Sequence, residues 1–357
     1  MSRRDDRMQL MTEPRTPRED IARTWSRVAY EDDRRPETGF SVLVPHGWDT
    51  HPPARPAGAA GTADAPEGGL MPLAVWSDPD ADARVEVSAQ AMRRELAPAD
   101  WMVEWLKAND FEVLAARRIA SPAGALGDVL AVKRAAPEAR IYRLRSYKSG
   151  PLLFLVAASV ARHRFDALEE TLFIGTEGFR LTGAASPVPA EPLREVTLTA
   201  PAPARFVIPA IWVQQRDDQL REGQAWRFAN PATEDHMVGL IYVATIPHDG
   251  AAGHDELADR LTASFRKDQE IEIQETPLRR VSEPDAQVDV REARVPARRA
   301  NGERVRLELV IARDPARWSV FALLGNRPDP DPLLVDAINR RAFEIVVASF
   351  ADATAAA

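Results

Sequence analysis

The residues with the strongest claim to chemistry are the six histidines, His46, His51, His163, His236, His248 and His254. Two of them stand in His248-Asp249 and His254-Asp255, on either side of a Gly-Ala-Ala-Gly loop that leads into a helical pattern. Imidazole and carboxylate at two nearby points form the donor set of a metal site or a metal-dependent hydrolase. The competing reading is structural: Asp255 and Glu256 favour a helix N-terminus, and the two imidazoles are solvated. The structural reading is preferred, because no His-Glu-x-x-His or other close ligand spacing occurs. His46 lies inside Pro45-His46-Gly47-Trp48 and reads as a turn residue.

A nucleophile would need Ser or Thr on a strained turn beside a base, and no Gly-x-Ser-x-Gly is present. Ser149-Gly150 reads as a plain hairpin turn with Lys148 solvated. Gly58, Gly61, Gly68 and Gly69 lack the Lys-Ser/Thr that completes a phosphate-binding loop. With no cysteine in the chain, thiolate zinc sites, iron–sulfur clusters, cysteine nucleophiles and disulfide scaffolds are excluded. Asp78, Asp80, Asp82, Glu169, Glu170, Asp329 and Asp331 fall in expected turns or on helix surfaces and read as solvated acids. Arg140–Arg145 and Arg304-Val305-Arg306 alternate basic with apolar residues. They form either a basic face for an acidic partner or the ordinary polar face of a strand. No residue is assigned a catalytic, metal-ligating, cofactor-binding or other binding role, and no cofactor is expected.

The elements that would position these groups recur in the same order in two halves. Phe40–Trp48 and Phe206–Trp212 are each a short strand ending in Pro-x-x-Trp, with Trp48 and Trp212 as the matched residues. A hairpin follows in each, turning at Asp78-Pro79 or Asn230-Pro231, because Asx-Pro initiates turns and proline cannot continue a central strand. Next come an amphipathic helix (Trp101, Met102, Trp105, Leu106; Leu257, Leu261, Phe265) and a short strand, Phe111–Val113 or Ile271–Ile273. Three strands close the first sheet, Gly127–Arg134, Ile141–Tyr147 and Leu152–Ala161. Their counterparts are Gln287–Val295, Arg304–Ile311 and Trp318–Leu324, with an interruption at 296–303. A final helix ends each half. The order β-β-β-α-β-β-β-β-α, twice, with hairpin-length connections, predicts α+β sandwiches: antiparallel sheets covered by two helices each. The last strand of each half is apolar at consecutive positions and should lie centrally, buried on both faces. Trp48, Trp76, Trp101, Trp105, Trp212 and Trp226 fall where faces should meet and read as core. Trp25 and Trp318 have no such obvious place.

Length supports two domains in 357 residues, and the net charge of −8 argues against a nucleic-acid binder. The expected boundaries are a flexible leader over 1–35, domains over 36–182 and 195–351, a linker over 183–194 and a tail over 352–357. The leader carries nine Arg and nine Asp+Glu over residues 1–39 and no apolar run, so it is not a secretory signal, and a cytoplasmic address is expected. Met1, Met8 and Met11 compete as start. Thr16-Pro17-Arg18-Glu19 has the form of a capping box, and Ile21, Trp25 and Val28 predict a short amphipathic helix. That helix either docks a partner or, the preferred reading, packs on its own domain. Residues 51–69 read as a mobile loop.

Strand–Pro-x-x-Trp, hairpin, helix, meander and closing helix resemble the Mog1/PsbP-like fold. The helix Asp100-Trp101-Met102-Val103-Glu104-Trp105-Leu106 is similar to one characteristic of the bacterial DUF1795 branch. The resemblance covers about 36–181 and 195–350, and two units in one chain depart from the single-domain form. It implies a non-enzymatic protein-binding module, such as the dimeric Eag-type chaperones of type VI secretion, which shield apolar segments of effectors. On that basis the expected partner is a protein, possessing an apolar client helix, and two fused halves could act as an intramolecular pseudo-dimer. A hydrolase using His248, His254 and nearby acids, and a self-associating structural protein, are the alternatives.

Overall fold

The computed structural model describes residues 9–52, 69–80, 82–121, 123–133, 139–183, 188–199, 203–218, 223–233, 236–248, 253–268, 270–273, 277–283, 288–315, 317–327 and 334–352. Most of the 51–69 loop, the middle of the 183–194 linker, Arg134, Gln287, Met1, Met8 and the last five residues lie outside that set. The chain divides into two compact units, Met1–Ala190 and Glu191–Ala357.

The first unit begins with helix α1 (Arg18–Thr24) and strand β1 (Trp25–Tyr30). It continues with β2 (Phe40–Pro45), β3 (Asp49–His51), β4 (Met71–Ser77), β5 (Arg84–Ala91) and α2 (Pro98–Ala108). The meander β6 (Phe111–Ile119), β7 (Leu126–Lys133), β8 (Arg140–Ser149) and β9 (Leu152–Ala161) leads to α3 (Phe165–Glu177) and β10 (Arg180–Leu181). These strands form a sheet of order β3-β4-β5-β9-β8-β7-β6 and a small sheet β1-β2-β10, with every pairing antiparallel. β9 is the middle strand of its sheet, and Leu153, Phe154, Leu155 and Val156 are all buried, as the run of consecutive apolar residues predicts.

The second unit opens with β11 (Leu193–Leu198), β12 (Ala204–Pro209), β13 (Val213–Asp218), β14 (Gln224–Thr233) and β15 (His236–Pro247). Then come α4 (His254–Asp268), β16 (Ile271–Ile273), β17 (Arg279–Arg280), β18 (Asp289–Arg299), β19 (Arg304–Arg313), β20 (Arg317–Asn326), α5 (Val335–Ser349) and β21 (Ala351–Asp352). Its large sheet runs β13-β14-β15-β20-β19-β18-β16, with β17 also on β18, and its small sheet is β11-β12-β21. β20 is again central, and all ten of its residues are buried. The described chain is thus α+β: mainly antiparallel sheets with a few helices against them.

Several expectations need correction. Helix α1 stops at Thr24, and Trp25 and Val28 belong to β1, which pairs with β2 from Trp25↔Pro45 to Tyr30↔Phe40. Spacing at 21, 25 and 28 suits a helix, but as a strand Val28 and Tyr30 share one half-buried face and Trp25 is half-buried on the other, with the backbone paired along β2. Thr16 does not cap α1; its backbone N–H donates to Glu170 instead. From residue 9 onward the leader is packed on the first unit, not free of it. Asp78-Pro79 turns as expected, whereas Asn230-Pro231 sits inside β14, where the register shifts in a bulge. Residues 296–299 continue β18 rather than interrupting it, and the turn lies at 300–303. The two small sheets were not foreseen. Trp318, which had no obvious place, is 1 % exposed.

Candidate functional site

Among the described residues the histidines do not form one cluster, and only His248 and His254 share a neighbour. His46 is exposed in its turn, His51 is exposed with Nε2 2.7 Å from Ser77 Oγ, and His163 is exposed beside α3. The His236 side chain, like Asp249, lies outside the described residues. His248 and His254 both lie against the Trp318 ring, at centroid distances of 5.5 and 4.7 Å. His254 is not solvated: it is buried, with Nε2 3.2 Å from the Asp289 carbonyl. Burial pulls its imidazole below the ordinary value of 6.5; the Asp289 carbonyl and carboxylate oppose this, and Arg291 and Arg313 reinforce it. Among the described residues no three His, Asp or Glu side chains form a group able to hold a metal ion.

The arginine strands behave differently in the two units. On β8, Arg143 and Arg145 are buried, not on a solvated face. Both reach Asp128 on β7, which is fully buried and also takes Arg117 from β6, with N···O distances of 2.8, 3.2 and 2.7 Å. Arg145 is further paired with Glu177 of α3, and the Arg143 guanidinium lies over the Phe173 ring at 4.7 Å. Arg143 Nη2 donates to the Met11 carbonyl at 2.8 Å. Burial lowers the Arg143 value while Asp128 raises it; through the Met11 carbonyl the same guanidinium ties the leader to the sheet. Lys148 is likewise buried, paired with Glu95 at 2.7 Å, and Glu95 also accepts the Ala190 N–H.

On the second unit the corresponding charges line an open cleft. Strand alternation sends Val295, Ala297, Val305 and Leu307 into the core shared with Phe265 of α4. It sends Arg294, Arg298, Arg304, Arg306 and Glu308 to the opposite face, with Arg294 across from Glu308 and Arg298 across from Arg304. Helix α5 packs on β12, β15 and β20, so it covers the middle of this face and stops short of the outer strands. The space beside it is a cleft of about 650 Å³ lined by Arg294, Arg298, Arg304, Arg306, Arg327 and Arg340, with Glu272 and Glu308 as its acids.

The floor of the cleft is held by ion pairs. Glu308 is 3.4–3.6 Å from Arg340, Arg306 and Arg294, and Arg306 also meets Asp336 at 2.8 Å. Burial pulls the Arg306 guanidinium down, against Asp336 and Glu308, and it pushes Asp336 up, against Arg306 and Arg340. Both members are therefore partly desolvated and fixed in place. At the rim, Arg298 and Arg327 are exposed and form no ion pair with a described residue. Of these residues the sequence singled out only Arg304 and Arg306. The alternation Arg294-x-Pro296-x-Arg298 was the available signal for the rest of the strand. Asp329 and Asp331 lie outside the described residues.

Fold and cleft define an α+β protein whose second unit presents a cationic recess. No family model matches the chain, and no curated protein matches it. Among solved structures it is similar to a cyanobacterial PsbP (CyanoP) from Synechocystis sp. PCC 6803, with 14% identity, TM-score 0.32, and coverage of 44% of this chain and 92% of that one. It is also similar to the apo immunity protein TplEi of the T6SS from Pseudomonas aeruginosa, with 11% identity, TM-score 0.24, and coverage of 80% and 98%. The same immunity protein complexed with "L" peptide gives 13% identity, TM-score 0.22 and the same coverage. At scores this low the fold assignment rests on the strand order of the chain itself.

Proposed function

We propose that this protein is a non-catalytic binding module, an adaptor or chaperone that holds a protein partner in the arginine-lined cleft of its second unit. The two units are read as tandem copies of a Mog1/PsbP-like sandwich, a reading supported by their matching sheet orders. The observation that carries the function is the cleft: six guanidiniums against two lining carboxylates, in a chain whose net charge is −8. Guanidinium stays protonated at any physiological pH, so this lining binds anionic groups and does not exchange protons with a substrate. The test compares wild type with R298E/R327E as immobilised bait in a lysate of the native host. A partner kept by wild type at low salt and lost by the variant supports the reading, and identical captured sets contradict it.

A second reading, capture of an apolar client, has its own observation. A recess of about 570 Å³ lies between the leader and α3, walled by Ile21, Leu43, Phe173 and Ile174. The chain's own leader already shields it, so a client would have to displace residues 12–22.

A further inference from the structure

We infer that the occupant of the cleft is an extended acidic segment of the partner, with carboxylates at alternate positions. The inference rests on the binding-module reading and goes beyond it in naming the chemistry of the ligand. Arg304 and Arg306 project from one face of β19 two residues apart, about 6.8 Å along a strand. Arg298 of β18 pairs with Arg304 of the adjacent β19, adding a second row at about 5 Å. An extended peptide repeats its side chains on one side with the same two-residue period, so one acid meets the Arg298 and Arg304 pair and the next lies over Arg306, which Asp336 and Glu308 hold in place.

The cleft's own acids narrow the choice further. Glu308 and Asp336 are shared among Arg294, Arg306 and Arg340 and offset only part of their charge, while Arg298 and Arg327 at the rim have no ion pair with a described residue. A polyphosphate or nucleic acid, with charge on every unit, would press phosphates against Glu308 and Glu272. Spaced carboxylates separated by small polar residues avoid that repulsion. The first unit shows that this scaffold accepts an extended segment beside its closing helix. There, residues 10–16 run along α3 without regular structure. Met11 offers its carbonyl to Arg143, Arg15 pairs with Glu169, and the Thr16 N–H donates to Glu170.

Fluorescence anisotropy on the full chain tests the inference with four labelled probes. They are a short peptide alternating Asp and Ser, its Asn–Ser analogue, a peptide of equal charge with its Asp residues contiguous, and a single-stranded oligonucleotide of equal charge. The alternating acidic peptide should bind most tightly, lose about tenfold in affinity in R298E/R327E, and weaken as salt rises. An unchanged thermal midpoint shows that the variant is folded. Equal binding of the Asn–Ser and Asp–Ser peptides, both sensitive to R298E/R327E, overturns the acidic preference and leaves the binding module standing. Equal binding of the contiguous peptide overturns the alternate spacing. Binding of the oligonucleotide alone overturns both readings. No binding by any probe overturns the inference, while the bait experiment still judges the module.

Discussion

Asp128 is the residue on which most buried charge in the first unit depends. Three arginines from β6 and β8 converge on it, two of them nearly inaccessible to water. Asp128→Ala leaves the buried Arg143 guanidinium without its carboxylate, and removal of one partner from such a buried pair costs about 3–5 kcal/mol. Urea unfolding of the variant should show that loss, and a cost within error of zero would show that the arginines find water. Lys148→Met should also destabilise the unit, because it removes the buried ammonium that pairs with Glu95 at 2.7 Å. His254 supplies a pH dependence. Its folded value lies below 6.5, so in the window just under 6.5 the unfolded chain binds more protons than the folded one. Stability of the second unit should fall as pH drops from 6.5 through the folded value, and this group should contribute no slope above 6.5. His254→Phe, which keeps a ring against Trp318, should flatten that slope. A titration midpoint for His254 above 6.5 by NMR would reverse the sign.

At the scale of elements, the contact between α5 and the sheet sets the geometry beside the cleft. Asn339 of α5 is fully buried, accepts a hydrogen bond from Asn230 at 2.7 Å and donates to the Val238 carbonyl at 2.8 Å. A Cβ on Gly239 would stand 2.6 Å from Asn339 Oδ1. Gly239→Ala should therefore lift α5 and destabilise the unit by about 1–3 kcal/mol, read as a lowered thermal midpoint. The order of strands was legible because hairpin-length connections and the apolar runs of β9 and β20 permit few arrangements. Strand β1 was not, since its apolar spacing fits a helix equally well and only β2 decides between them. The bulge at Asn230-Pro231 was hidden for a related reason: the turn signal is local, while Asn230 is held by Asn339 more than a hundred residues away. Arginine alternation on β8 and β19 looks alike in the sequence. What separates a buried network from an open cleft is the neighbour: Asp128, α3 and the leader in one unit, the short reach of α5 in the other.

The whole molecule carries a net charge of −8, and the cleft sets a local positive field within it. Association with an acidic partner should therefore be steered and salt-sensitive, weakening most between low and physiological ionic strength. Among the described residues no helix is long and apolar enough to cross a membrane. Hydrogen–deuterium exchange of the full chain, with and without a saturating alternating Asp–Ser peptide, tests the role of the cleft most directly. The expected result is slowed exchange over 293–299 and 304–308 and at the start of α5, with the first unit unchanged. Protection confined to the leader and α3, or no protection at β18 and β19 while the peptide is bound, would contradict it.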